Sequence, residues 1–123
     1  MSKYAIHKTK TGYTFHLKAA NGETIGVSEA YGTEAACENG IESVRKNAPV
    51  AAVEDKTSEI EETVKNPKFE LYKDARGEFR FRLCATNGQH ILASEGYTAK
   101  ESCKNGIASV KKNAFDAKIE KSY

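Results

Sequence analysis

Apolar and polar residues alternate at the start of the chain, give way to a helical period, and then repeat the whole succession. Tyr4 and Ile6, then Tyr13, Phe15, Leu17 and Ala19, then Ile25 and Val27 sit at period two. That period sends successive side chains to opposite faces, which predicts three half-buried strands. Past Thr33 the period lengthens, and Cys37, Gly40, Ile41, Val44 and Ala48 form one apolar stripe on a helix. Residues 50–53 then read as a short strand. The succession returns with Phe69 and Leu71, with Phe79, Phe81, Leu83 and Ala85, and with Ile91 and Ala93. A second stripe follows at Cys103, Gly106, Ile107, Val110 and Ala114, and a last strand-like stretch spans residues 115–119.

The unit is therefore β-β-β-α-β, present twice at an offset of about 66 residues, and an internal repeat dictates architecture. It predicts an α+β fold: one antiparallel sheet with both helices on one face. Repeat 1 spans about 3–53, an acidic linker about 54–67, and repeat 2 about 68–121. Ile60 and Val64 have the spacing of a short helical turn within that linker, and a flexible tether is the equal alternative. Asn21-Gly22 and Asn87-Gly88 predict type I′ hairpin turns. Thr98-Ala99-Lys100-Glu101 has the capping-box pattern, which the first helix lacks. Gly40 and Gly106 lie inside helices, where glycine costs about 1 kcal/mol against alanine, so close packing is expected there.

The residues carrying the repeat resemble the YegP-like family of uncharacterised bacterial proteins. In the first copy they are Ser28, Glu29 and Tyr31 before the helix, then Asn39, Gly40, Ile41, Ser43, Val44, Asn47 and Ala48. In the second they are Ser94, Glu95 and Tyr97, then Asn105, Gly106, Ile107, Ser109, Val110, Asn113 and Ala114. The resemblance implies two β3-αβ units, in tandem or as a dimer, that share a sheet and exchange their last strands. It implies no activity.

Composition narrows the classes. At 39% hydrophobic and 29% charged residues the chain is too apolar for disorder, and no apolar run approaches a membrane span. The N-terminal residues lack a signal-peptide core. Three cysteines without metal spacing predict reduced thiols and a cytoplasmic protein. The net charge of +2 is too small to imply nucleic acid by itself. The expected state is a monomer with an internal pseudo-dimer.

Strand parity assigns candidate surfaces. With the apolar set facing the helices, Ala5, His7, Thr14, His16, Lys18, Thr24 and Gly26 face away, as do Glu70, Tyr72, Arg80, Arg82, Cys84, His90 and Leu92. Two helices cover only one sheet face, so the other is expected to be open. His16, Lys18, Tyr72, Arg80, Arg82 and His90 make it a candidate surface for an anionic ligand or nucleic acid, used by a non-enzymatic binding module. Against this stands the plain expectation that polar residues line the wet side of a sheet. A second reading is a small-molecule enzyme at the seam between the repeats, built from Glu29, Tyr31, Asn39, Glu95, Tyr97 and Asn105. A third is a protein–protein adaptor using the helix layer. No cofactor and no metal site is expected, because no ligand spacing connects the histidines. Cys37 and Cys103 fall on apolar stripes and read as packing residues, whereas Cys84 reads as an outward, more reactive thiol. The Asn39-Ser43-Asn47 and Asn105-Ser109-Asn113 rows read as ties from the helix edge to an exchanged strand or to the Ser-Glu-x-Tyr corner.

Overall fold

The two predicted strand trios form the middle of one eight-stranded sheet. The computed structural model describes residues 1–58 and 63–123. Among these the elements run β1 (Lys3–Thr9), β2 (Gly12–Lys18), β3 (Thr24–Val27), α1 (Glu34–Asn47), β4 (Ala52–Asp55), β5 (Lys68–Lys73), β6 (Phe79–Cys84), β7 (His90–Ala93), α2 (Lys100–Asn113) and β8 (Lys118–Lys121). Ile60, half of the predicted linker turn, lies outside the described residues.

The strand order is β4-β5-β6-β7-β3-β2-β1-β8. Each repeat contributes an antiparallel trio, and the trios meet at a β3–β7 pair that brings Val27 opposite Ala93. The last strands are exchanged: β4 of repeat 1 lies beside β5 of repeat 2, and β8 of repeat 2 beside β1 of repeat 1. Both outer pairs are parallel, so the sheet is mixed and not antiparallel throughout. The helix of each repeat carries the chain past the seam to the far edge of the other trio, where the last strand runs alongside that trio's first strand.

Ion pairs fasten each exchanged strand to the other repeat's helix. Asp55 at the end of β4 meets Lys100 at the start of α2 at 2.5 Å, and Lys121 of β8 pairs with Glu34 at the start of α1. The two pairs occupy equivalent places with their charges reversed. Tyr4 donates its hydroxyl to the Ala114 carbonyl at 2.5 Å, and Arg45 donates to the Ala117 carbonyl at 2.6 Å while lying over the Tyr4 ring.

Each half of the core carries an aromatic row. Phe15 meets Tyr4 edge-on and Tyr31 in a stack, with ring centres 5.8 and 6.3 Å away. Phe81 repeats this with Phe69 and Tyr97 at 6.0 and 6.5 Å. Cys37 and Cys103 are fully buried on the helix stripes, as their spacing predicts.

Three local details depart from the sequence reading. The hairpins at Asn21-Gly22 and Asn87-Gly88 are not type I′, because only the glycines have positive φ (87° each). Gly22 and Gly88 instead close turns onto the Ala19 and Ala85 carbonyls, and the Asn21 and Asn87 side chains accept from the amides of Glu23 and Gln89. The capping box does not form: α2 begins after Ala99 with no side-chain cap, whereas Thr33 caps α1 by accepting from the Ala36 amide. The third departure is a β-bulge in each repeat. Leu17 pairs with Gly26 but Lys18 with Thr24, and Leu83 pairs with Leu92 but Cys84 with His90, leaving Ile25 and Ile91 as extra residues.

The bulges reverse strand parity beyond them. Gly26 and Leu92, expected on the outward face, pack on the core side, and Val27 and Ala93 turn outward instead. A Cβ on Gly26 would come within 2.6 Å of the Leu92 side chain. Gly26 and Leu92 are equivalent positions beside the local axis, where space exists for one large side chain and not two.

Candidate binding face

Residues directly opposite one another on neighbouring strands share a face, so the register defines a row across the whole sheet. It runs Glu54, Glu70, Arg82, Ala93, Val27, His16, Ala5, Glu120 from β4 to β8. The centre is an apolar floor, Val27 and Ala93, with Arg82 on one side and His16 on the other. A cavity of about 420 Å³ opens on this part of the sheet and is lined by Val27, Glu29, His90, Ala93 and Glu95 among others.

The two halves of the face differ. In repeat 2, buried Glu70 gathers cations: its Oε1 accepts from Arg82 Nε at 2.6 Å, while Lys56 and Lys68 lie 3.0 and 3.6 Å from Oε2. Lys68 also pairs with Glu54 at 3.2 Å, and Glu54 accepts from the Val64 amide at 3.0 Å, which holds Val64 against this edge. Burial works to raise the Glu70 pKa, but hydrogen bonds from Arg82 and Lys56 outweigh it and hold the carboxyl at about 2. Arg82 rests over the Tyr72 ring, its guanidinium carbon 4.7 Å from the ring centre. Arg80 is held by Asp74 at 2.6 Å. His90 is exposed.

Repeat 1 has no such carboxylate, because Ala5 stands where repeat 2 has Glu70. His16 lies against His7 with ring centres 4.6 Å apart. Burial, then the charges of His7 and Lys18, push the His16 pKa down.

A carboxylate whose pKa is depressed by folding stabilises the fold above its ordinary pKa and loses that contribution as pH falls through the folded value. For Glu70 the window runs from 4.5 down to about 2. Acid titration followed by circular dichroism is expected to show stability declining through that window. Glu70→Gln should flatten the decline, and an unchanged acid limb would show that the cluster does not couple to folding.

Cys84 does face away from the helices, but it is only 2% exposed. Burial, reinforced by Glu70, raises its thiol to about 11. The thiol expected to be the reactive one is therefore covered and protonated at neutral pH.

The seam candidates are dispersed across both sides of the sheet. Tyr31 and Tyr97 lie on the helix side, with their hydroxyls over Gly40 and Gly106, and this explains the mid-helix glycines: a Cβ there would fall 2.4 and 2.6 Å from those oxygens. Glu29 and Glu95 border the opposite side at the central cavity. Asn39 and Asn105 line two separate grooves, each between a helix and the other repeat's Asn-Gly turn. The asparagine rows bond chiefly within their own helices: Asn47 and Asn113 donate to the Ser43 and Ser109 carbonyls at 2.8 Å. The cross-repeat tie is to a turn, through Thr86 donating to Asn47 at 3.1 Å; Ala20 stands in the equivalent place of repeat 1. Ser28 and Ser94 complete the corner by accepting from the Phe15 and Phe81 amides and donating to the Glu29 and Glu95 carbonyls.

Fold and face together define a tandem β3-αβ pseudo-dimer with one covered and one open sheet face. The chain belongs to the family described as "Domain of unknown function (DUF1508)", which matches residues 9–55 and 74–120. It is 40% identical over 121 residues to the UPF0339 protein YegP of Yersinia pestis, covering 98% of this chain and 95% of that one. A UPF0339 protein encoded in the ptx operon 5′ region of Stutzerimonas stutzeri is 69% identical over 48 residues, which cover 39% of this chain and 43% of that protein. The solution NMR structure of yegP from E. coli, described as of unknown function, aligns with TM-score 0.80 at 33% identity, covering 98% of this chain and 92% of that one. A UPF0339 protein of Shewanella oneidensis, also solved by NMR, aligns with TM-score 0.80 at 30% identity, covering 98% of this chain and 90% of that one. Among the described residues no helix is long and apolar enough to cross a membrane.

Proposed function

We propose that this protein is a small non-enzymatic binding module that takes a phosphate-bearing ligand, a nucleotide or single-stranded nucleic acid, across the open face beside Arg82. The supporting observation is how Arg82 is held. Glu70 fixes its Nε edge and Tyr72 supports its plane, so the guanidinium is oriented before a ligand arrives, and a planar fork suits phosphate. Val27 and Ala93 provide a flat apolar floor for a base, and His90 borders it. The adjoining cavity of about 420 Å³, lined by Val27, His90, Ala93, Glu29 and Glu95, meets Arg82 through its pairing partner Ala93 and falls within the usual range of small-ligand sites. The seam enzyme lacks comparable support, since its candidate residues lie on opposite sides of the sheet, with Tyr31 and Tyr97 packed over the helix glycines and Asn39 and Asn105 in two separate grooves. Three free cysteines favour a reducing, cytoplasmic setting.

Amide chemical-shift mapping with a mononucleotide and with a short single-stranded oligonucleotide tests this. The expected shifts cluster on Val27, Arg80, Arg82, His90 and Ala93, and binding weakens with salt, with a log–log slope of about −0.7 per phosphate contact. Response to the mononucleotide alone would identify a free nucleotide as ligand. Shifts confined to the helix-edge grooves, or none with either probe, would refute the reading.

A further inference from the structure

Three strands bring an oxygen, a sulfur and a nitrogen ligand together on the outward face of repeat 2. The ligand atoms of Glu70 (β5), Cys84 (β6) and His90 (β7) all lie within 4.8 Å of one another. Their meeting follows from register. Cys84 stands opposite His90 because the bulge shifts the β6–β7 pairing by one residue, and Glu70 occupies the same face of the adjoining strand. His90 Nε2 is 3.5 Å from Glu70 Oε1, and its side chain is 52% exposed against 7% for Glu70, so one wall of the trio opens to solvent. The equivalent residues of repeat 1 are Ala5, Lys18 and Thr24, which reproduce none of these ligands.

We propose that Glu70, Cys84 and His90 form a binding site for a thiophilic metal ion, with Cys84 Sγ and His90 Nε2 as the principal ligands and the Glu70 carboxylate closing the third side. Binding breaks the Cys84 S–H bond, forms a metal–sulfur bond and releases one proton to solvent, with no change of oxidation state. Arg82 and Lys56 already orient the carboxylate through its other lone pairs, the usual arrangement around a metal-binding carboxylate.

Charge selects the ion. Arg82, Lys56 and Lys68 surround Glu70, with Glu54 the second carboxylate of the cluster. A monovalent ion that replaces the thiol proton leaves the net charge unchanged, whereas a divalent ion adds a positive charge among three cations. Thiolate and imidazole donors also suit Cu(I). The site therefore takes Cu(I) in preference to Zn(II). The rival on the same face is the His7–His16 pair, which has no thiol beside it.

The reduced full chain, titrated without oxygen against Cu(I) held in a coloured chelate, is expected to withdraw one equivalent and to shift the His90 ring signals. Cys84→Ser should abolish that withdrawal while the thermal melt shows a folded chain, and His90→Gln should weaken it without touching the core. The assignment is overturned if Cys84→Ser retains the equivalent, if the ring shifts fall on His7 and His16, or if Zn(II) is taken equally well. Phosphate binding through Arg82 does not use Cys84, so the two readings succeed or fail separately.

Discussion

Phe15→Ala or Phe81→Ala is expected to lower folding stability by about 3–5 kcal/mol, the usual cost of emptying a large aromatic core site. Each phenylalanine is fully buried and is the middle ring of its row. Its removal leaves Tyr31 or Tyr97 without the ring it stacks on, and that tyrosine roofs the helix at Gly40 or Gly106. Domains are stable by only about 5–15 kcal/mol, so either variant should melt far below the parent. The halves share one sheet and exchange strands, so each variant should unfold in a single transition. Two separated transitions on chemical denaturation would show that the repeats are energetically independent and that the exchange contributes little.

Gly40→Ala is the second test, and intrinsic propensity predicts its sign wrongly. Alanine improves an exposed helix interior by about 1 kcal/mol over glycine. Here the new Cβ would lie 2.4 Å from the Tyr31 hydroxyl oxygen and 2.7 Å from the ring carbon bearing it. Overpacking of this kind costs about 1–3 kcal/mol, so a net loss is expected. Tyr31→Phe in the same chain should return part of it, because the closest contact is removed. The Gly106→Ala and Tyr97→Phe pair should behave alike. A Gly40→Ala chain that melts higher than the parent would show that the tyrosine moves aside freely.

The elements and the open face were legible because they follow from periodicity, and the recurrence of each pattern reinforced both readings. What escaped was set by long-range geometry. The bulges at Ile25 and Ile91 leave the apolar pattern intact, since both isoleucines and their neighbours Gly26 and Leu92 point inward, and this hid the outward turn of Val27 and Ala93. Strand parity puts Glu70, Cys84 and His90 all on the outward face, yet no linear spacing joins them; they meet through strand register. The ion pairs of Arg80 and Arg82 were likewise invisible, because Asp74 sits in a turn and Glu70 on another strand. Gly40 and Gly106 gave a usable signal, a costly residue recurring at one site, but the partner that requires them lies on the Ser-Glu-x-Tyr corner and not on a strand or a second helix.

The repeated residues build the scaffold, and we locate binding where the copies differ. The most direct measurement of that claim is oligonucleotide affinity for a chain in which repeat 2 carries its repeat 1 counterparts, Arg80→Thr, Arg82→His and His90→Thr. These side chains lie outside the aromatic core, so the chain should remain folded. The salt-dependent binding of the parent should be lost, and undiminished affinity in the folded triple variant would rule out a site at Arg80, Arg82 and His90.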